Sequence, residues 1–306
     1  MMSDQHSNVV LWILIGCGAL LVFGGLLFVL LLYSMKADES SDFSFAENKV
    51  AIVELNGPIY DSQPVVDQLE RYGKDSGVRA IVLRINSPGG GAAASQEIYQ
   101  AINRVRAKKK KIVVASIASV GASGAYYAAC ATDKVVANAG ALTGSIGVIA
   151  QWYSYEDLLK WIKMKDVVVK SGEFKDTGDP ARDLTPAERA YLQHLIDDTY
   201  GQFVDAVAQG RKMSPAAVKG LADGRVFTGR EAKENKLIDE VGDLQDAIDA
   251  AAQLAKIKGE PKIIRATKPK QSLFDVLFGD ASSLIPAPLQ HLSKEAPLQY
   301  LWRPGT

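Results

Sequence analysis

Ser123 lies among small residues at a predicted turn from a strand into a helix. The β-rich run at residues 112–117 precedes it, and an apolar segment long enough for a short helix follows it. Gly121 and Gly124 permit close backbone approach around the hydroxyl, and the N-terminus of a helix favours developing negative charge. This is one way to build a serine nucleophile. A tightly packed helix start accounts for the same residues, so this stretch alone leaves both interpretations open.

A second glycine turn, Asn86-Ser87-Pro88-Gly89-Gly90-Gly91, also follows a predicted strand and begins a predicted helix. Its backbone N–H groups carry no obstructing side chains, so they are suited to binding an anion or stabilising an oxyanion. The spacing is not that of a dinucleotide-binding fingerprint, and the lysine of a P-loop is absent. An oxyanion hole that faces Ser123 is the interpretation that uses both turns.

A serine nucleophile needs a base, and histidine is not a candidate, because the three histidines lie far apart and lack ligand spacing. Lysine can serve if burial keeps its amine neutral, since desolvation disfavours the ammonium form. Two lysines, Lys170 and Lys175, follow a predicted strand at Val167–Val169. Most lysines are simply exposed on the surface. The sequence pattern alone does not choose between the two.

The elements that must position these residues alternate between strand and helix. Amphipathic spacing predicts a helix over residues 94–105. The cap Thr185, followed by the helix-first proline Pro186 and by Glu188, predicts another helix start. Such alternation is typical of an α/β fold with a mostly parallel sheet, whose chemistry lies at the carboxyl ends of its strands. Both glycine turns lie at such ends. The predicted strands are residues 50–55, 80–85, 112–117, 135–137 and 146–149.

Composition and charge bear on the number of domains and on the classes of partner that the chain could bind. The chain has 306 residues, a net charge of +0 and 47% hydrophobic residues, enough for one large domain or two small ones. A neutral chain gives no argument for a nucleic-acid partner, and the basic run at 108–111 fits the solvated end of a helix. The two cysteines lie in regions of different character and do not predict a bridge or a metal site.

Residues 9–33 contain no charged side chain. At about 1.5 Å per residue, this helix would exceed the ~30 Å hydrocarbon core of a bilayer. The run is longer than the apolar part of a cleavable signal peptide and lacks a small-residue cleavage site, so it predicts an uncleaved transmembrane signal anchor. The flanking charges set its orientation poorly.

The ordered set of motifs resembles the protease IV family of bacterial signal peptide peptidases, within the Clp protease and crotonase superfamily. Any one motif is weak, but five in the same order over residues 50 to about 250 are specific. The segments that carry the resemblance are Leu83–Gly91, Ser119–Tyr127, Leu142–Ile149, Lys170–Asp176 and Ala222–Gly229.

The resemblance implies a Clp/crotonase-like fold and a role for each matching residue. The family's nucleophile falls on Ser123 and its general base on Lys175, which resolves the choice that spacing left open. Gly90 matches the oxyanion donor, and Ser145 matches the serine that hydrogen-bonds the lysine amine. Ala125 departs from a glycine common in relatives, which should only tighten the turn after the nucleophile.

The resemblance also implies a serine endopeptidase that needs no cofactor or metal and degrades remnant signal peptides. It implies a homo-oligomeric ring in which Lys175 acts in the same or a neighbouring protomer. The catalytic domain would stand on the extracytoplasmic side of the cytoplasmic membrane. The predicted organisation is a short tail at 1–8, the anchor at 9–33, a linker at 34–48, a peptidase domain at 49–258 and a proline-containing tail at 259–306, with little regular structure.

Two other functions are compatible with parts of the sequence. An acyl-CoA enzyme of the same superfamily would keep the oxyanion glycines but leave the Ser123 and Lys175 pair superfluous and the anchor unexplained. A non-enzymatic membrane scaffold would need neither residue. Within the tail, the apolar run at 273–278 would either pack on the rim of the assembly or enter the substrate groove as a self-inhibitory peptide.

Overall fold

The computed structural model describes residues 23–26, 48–266 and 298–301. Contacts divide the chain into two units, residues 1–46 and residues 47–306. In the first unit, residues 23–26 are helical. Across the three described ranges, no helix combines the length and apolar character needed to cross a bilayer. The rest of the predicted anchor at 9–33 and the apolar run at 273–278 lie outside the described residues.

The second unit is built from short strands and helices in alternation. The strands are β1 (Lys49–Asn56), β2 (Val78–Ser87), β3 (Gly89–Gly91), β4 (Ile112–Ala122), β5 (Lys134–Ala137), β6 (Leu142–Gly144), β7 (Val226–Thr228), β8 (Glu240–Val241), β9 (Lys262–Arg265) and β10 (Gln299–Leu301). The helices are α1 (Gln63–Lys74), α2 (Ala92–Lys109), α3 (Gly124–Ala129), α4 (Glu156–Trp161), α5 (Pro186–Arg211), α6 (Pro215–Lys219), α7 (Gly229–Glu234) and α8 (Leu244–Leu254).

Eight of these strands form one sheet in the order β7-β6-β4-β2-β1-β9, with β5 paired to β4 and β8 paired to β5. Among the strand pairs described in this sheet, only β6 with β7 is antiparallel. The predicted mostly parallel α/β sheet is therefore confirmed. The other two strands, β3 and β10, form a separate antiparallel pair.

The central strands are apolar on both faces because helices cover both sides of the sheet, as parallel sheets require. Along β1, Ala51 and Val53 face the layer formed by α1, α2, α3 and α5, whereas Val50 and Ile52 face α8. Strand β2 repeats the alternation with Leu83 on the first face. Two buried clusters therefore lie on opposite faces of the sheet, and together they hold the ends of β2 and β4 in a fixed register.

Most of the predicted elements are confirmed. Strands at 50–55, 80–85, 112–117 and 135–137 are β1, β2, β4 and β5, and the helix over 94–105 is α2. Helix α5 begins where the capping pattern predicts it, with the Thr185 hydroxyl accepting from the Glu188 N–H. Of the predicted strand at 146–149, Ile149 forms a single bridge, and it pairs with Gln299.

One prediction is wrong. Val167–Val169 is not a strand, because no described strand lies beside it, and Val167 and Val169 are almost fully exposed. The stretch after 258, predicted to have little regular structure, contributes two short strands, since β9 pairs in parallel with β1 and β10 pairs with β3. In both segments, strand formation depends on whether a pairing partner distant in sequence is present, and local β propensity carries no information about such partners.

Candidate active site

Ser123 occupies a sharp corner between the end of β4 and the start of α3. Its backbone has φ +53° and ψ −120°, which is uncommon for a residue other than glycine. The Ser123 N–H donates to the Gly144 carbonyl at 2.7 Å, and its own carbonyl accepts from the Tyr127 N–H at 2.8 Å. The side chain makes no helix-capping hydrogen bond and the residue is buried. These contacts hold the hydroxyl at the carboxyl end of the sheet in a backbone conformation that would relax if unsupported.

Strand β3 places Gly90 beside this corner. The Gly91 N–H donates to the Ile59 carbonyl, and the Ile59 N–H donates to the Gly89 carbonyl, both at 2.8 Å. A Cβ at Gly90 would lie 2.2 Å from the Ile59 carbonyl oxygen, so only glycine fits this close approach. The turn is thus an unobstructed backbone cradle, as predicted from the sequence.

The cradle contains a strand of the same chain. Strand β10 runs antiparallel to β3 with Tyr300 opposite Gly90, and the neighbouring Ala92 N–H donates to the Leu298 carbonyl. Bonded and non-bonded pairs alternate along an antiparallel ladder. Tyr300 and Gly90 are therefore the next bonded pair, and the Gly90 N–H donates to the Tyr300 carbonyl.

The backbone of Gly124 lies close to the same carbonyl. A Cβ at Gly89 would lie 2.2 Å from the Tyr300 oxygen and 2.6 Å from the Gly124 nitrogen, and a Cβ at Gly124 would lie 3.0 Å from the Tyr300 oxygen. Gly124 directly follows Ser123. A peptide carbonyl that accepts from one backbone N–H and lies beside the residue after a serine resembles the arrangement that acyl transfer requires. Gly124 was not predicted as an oxyanion donor from the sequence, although its position after the serine was a signal for it.

Ser145 lies one peptide bond from the carbonyl that accepts the Ser123 N–H. It is buried, has φ +51°, and its N–H donates to the Arg225 carbonyl at 2.8 Å. The structure therefore brings Ser123, Gly90 and Ser145 together at one end of the sheet. A lysine amine that reached this corner would meet both serines.

Lys175 is not part of this cluster. It lies on an exposed segment, and within the described residues no hydrogen bond or ion pair joins it to Ser123. Lys170 is engaged elsewhere: its amine donates to the Glu173 carbonyl at 2.8 Å and forms an ion pair with Asp176. Contacts with Lys170 and then Arg182 lower the pKa of the Asp176 carboxyl, so the Lys170 amine faces a carboxylate.

Residues 150–184, which we call the arm, carry both lysines. The ion pair of Arg182 with Glu188 fastens the arm to the start of α5, Arg182 also pairs with Asp176 within the arm, and the ring of Phe174 packs against that of Tyr191, with centroids 5.3 Å apart. The rest of the arm exposes an unusual number of large apolar side chains. They are Trp152, Tyr153, Tyr155, Leu158, Trp161, Ile162, Met164, Val167, Val168, Val169 and Phe174.

The mostly parallel sheet, the strained serine corner and the glycine cradle define a serine hydrolase of the Clp-like α/β class. The family model described as Clp protease matches residues 36–143, and that of peptidase family S49 matches residues 105–258. The chain belongs to peptidase family S49 and is a serine-type peptidase. This membership decides against the acyl-CoA enzyme and the scaffold.

Relatives with informative names support the same family. The chain is 39% identical to a putative protease of Synechocystis over 77% of its own length and 85% of the relative. It is 34% identical to a putative signal peptide peptidase SppA of Enterococcus faecium, over 75% and 69% of the two chains. It is 30% identical to Protease 4 of Haemophilus influenzae, over 81% of its own length and 44% of that protein.

Proposed function

We propose that this chain is a membrane-anchored serine endopeptidase that degrades remnant signal peptides with a Ser123 and Lys175 dyad. The single observation that carries the endopeptidase mechanism is the position of the Tyr300 carbonyl in the cradle of Gly90 and Gly124, beside Ser123. An extended peptide bound as β10 is bound would present a carbonyl to the hydroxyl in the same way.

In the proposed reaction, the neutral amine of Lys175 takes the proton of Ser123, whose Oγ attacks the peptide carbonyl. The N–H groups of Gly90 and Gly124 hold the oxyanion, and Ser145 positions the lysine amine by a hydrogen bond. The amine then returns the proton to the leaving peptide nitrogen. Water, deprotonated by the same lysine, releases the acyl group from Ser123 and restores the hydroxyl.

Lys175 reaches Ser123 in an assembly. The arm that carries Lys175 exposes several apolar side chains between residues 161 and 169, interrupted by Lys163, Lys165 and Asp166, and exposed apolar patches mark protein interfaces. Among the described residues, no strand pairs with the β-branched run Val167–Val169, so its backbone groups are available to a neighbouring chain. We therefore place the arm of one protomer on the next copy in a homo-oligomeric ring, where Lys175 completes the neighbour's site.

Signal peptides are proposed as substrates because a relative from Enterococcus faecium is named a putative signal peptide peptidase. The proposed anchor at 9–33 fits that substrate class, since tethering the catalytic unit to a membrane raises the local concentration of membrane-derived peptides. The catalytic unit would then stand on the extracytoplasmic face of the cytoplasmic membrane.

The test mixes two inactive variants. Ser123→Ala and Lys175→Ala chains are purified separately, allowed to exchange subunits, and assayed for peptide hydrolysis. Recovery of activity is expected, because mixed interfaces join an intact Ser123 to an intact lysine from the other chain. If each variant folds and exchanges but the mixture stays inactive, the shared site is wrong, and a dyad within one protomer is the remaining form.

A further inference from the structure

The side chain of Tyr300 fills a closed aromatic pocket next to the serine corner. The residue is 0% exposed although it belongs to a three-residue strand. Its ring stacks on that of Tyr127, with centroids 5.3 Å apart and 19° between the planes. The Phe203 ring lies 4.7 Å away at an angle of 49°. Helix α3, which begins at the serine corner, and helix α5 thus supply two walls of the pocket.

The far end of the pocket is polar and matches a phenol. The Tyr300 hydroxyl donates to the Thr199 carbonyl at 3.1 Å and accepts from the Gln96 amide at 3.4 Å. The Gln96 amide also donates to Gln202 at 2.8 Å, which orients it across the end of the pocket. Burial raises the pKa of the Tyr300 phenol, so this hydroxyl keeps its proton and its donor role. Buried tyrosines ordinarily have such a partner, whereas phenylalanine offers none.

Backbone register determines which substrate residue this pocket serves. Gln299 exchanges both of its backbone hydrogen bonds with Ile149, at 3.0 Å each, on the side away from β3. Tyr300 instead directs its carbonyl to Gly90, close to the backbone of Gly124, the residue that follows Ser123. The residue that owns the attacked carbonyl is the one on the N-terminal side of the bond to be cut. Its side chain is the one that enters the aromatic pocket.

We propose that the pocket formed by Gln96, Tyr127, Thr199 and Phe203 is a tyrosine-selective specificity pocket, so that the enzyme cuts after tyrosine. The inference rests on the proposed function and deepens it by naming the substrate side chain. The peptide binds as a strand between Ile149 and Gly90, in place of β10. The bond between the tyrosine carbonyl carbon and the next nitrogen breaks, water supplies the new carboxylate oxygen, and the leaving nitrogen gains a proton.

The contacts of the pocket predict how strongly kcat/KM depends on the residue before the cleaved bond. Phenylalanine would fill the aromatic walls equally well but would leave the Thr199 carbonyl without its donor and the Gln96 amide with Gln202 as its remaining acceptor, a loss of about one hydrogen bond, or roughly tenfold in kcat/KM. Leucine and alanine would also lose aromatic contact and leave empty volume, so they should fall further. The expected order is therefore tyrosine, phenylalanine, leucine, alanine.

The experiment uses the full chain and four extended peptides that differ at one position, which carries Tyr, Phe, Leu or Ala. Initial rates give kcat/KM, and mass spectrometry locates each cut. The expected result is cleavage directly after the varied residue, with tyrosine about tenfold above phenylalanine. Gln96→Met should lower the ratio of the tyrosine to the phenylalanine rate about fivefold while the phenylalanine rate stays the same. Gln100→Met, one turn along α2 on an exposed position, is the matched control and should change neither rate.

Two negative outcomes are distinguishable. Peptide cleavage that Ser123→Ala abolishes, but that is as fast after alanine as after tyrosine, overturns the specificity pocket and leaves the endopeptidase intact. A Gln96→Met variant that slows the tyrosine and phenylalanine peptides equally also overturns it, since the residue would then act through the fold. Hydrolysis of none of the peptides in a Ser123-dependent manner removes the proposed function itself, and the pocket assignment with it.

Discussion

The serine corner and the arm are built in opposite ways. Around Ser123, the neighbouring residues Gly89, Gly90, Gly144 and Ser145 are buried, and glycines allow backbone segments to touch at distances that no side chain would permit. The arm at 150–184 is joined to the start of α5 by the ion pair of Arg182 with Glu188 and by packing of Phe174 on Tyr191, and it exposes large apolar side chains along its length.

Under the proposed function, this difference indicates that the general base is supplied by a neighbouring copy. The corner is fixed by contacts within one chain, so its geometry does not depend on a partner. The arm lacks that support, and its apolar residues, among them Trp161 and Val169, are left uncovered by the described chain. A nucleophile completed within the protomer and a lysine on an uncovered arm together favour a site divided between copies.

The largest expected effect comes from removing the Lys175 amine from the arm. Lys175→Met should lower kcat about 10²- to 10⁴-fold, because the serine would lose its proposed general base. Lys170→Met is the matched control on the same arm: its amine is bound to Asp176 and Glu173, so we expect a change of about twofold or less. Peptide hydrolysis by the two purified variants is the measurement, and a reversed order would reassign the base to Lys170.

A second prediction tests whether the uncovered arm is an interface. Trp161 is 80% exposed, and Trp161→Glu should weaken assembly and lower activity about tenfold, since buried tryptophans are frequent hot spots of interfaces. Sedimentation and peptide hydrolysis measure the two effects. Ala107→Glu places the same charge on an exposed site of α2 and should change neither. An arm variant that assembles normally would show that the arm is covered by something else.

A third prediction concerns the strand in the cradle. A chain that ends at Pro297 lacks β10 and should hydrolyse added peptides about tenfold faster, because a tethered strand competes at high effective concentration. Removing only residues 302–306 keeps β10 and is the control. This cut keeps β9 at 262–265, which completes the edge of the main sheet. Unchanged activity would mean that substrates bind elsewhere.

The smallest expected effect is that of pH on the arm. Contacts with Lys170 and Arg182 lower the pKa of Asp176, and contacts with Arg182 and Thr185 lower that of Glu188. A lowered folded-state pKa stabilises above the ordinary carboxyl pKa of about 4, and this stabilisation is lost as pH falls through the lowered values. Proteolysis of the arm should therefore quicken on acidification below about pH 4. Asp176→Asn should show faster proteolysis already at pH 7; equal rates would contradict the role of these ion pairs.

Local signals predicted much of the fold. Residues adjacent in sequence produce the β-branched runs of β1, β2 and β4 and the cap at Thr185, so these features could be predicted from the sequence. The resemblance chose Lys175, which spacing did not. The strand at Gln299–Leu301 was not predictable, because its partner is a glycine turn some two hundred residues earlier and glycine carries no β propensity. The strand predicted at Val167–Val169 is absent for the converse reason, since β propensity does not produce a strand where no described strand pairs with the segment.

The strand that lies along Gly89–Gly91 has a kinetic consequence under the proposed function. Because β10 occupies the groove, the fraction of enzyme with an open groove depends on the concentration of competing peptides. Dilute peptides would meet a closed enzyme, while a crowd of them at the bilayer would displace the resident strand and open it. The peptide concentration at which cleavage begins would thus be set by the affinity of Tyr300 for its pocket.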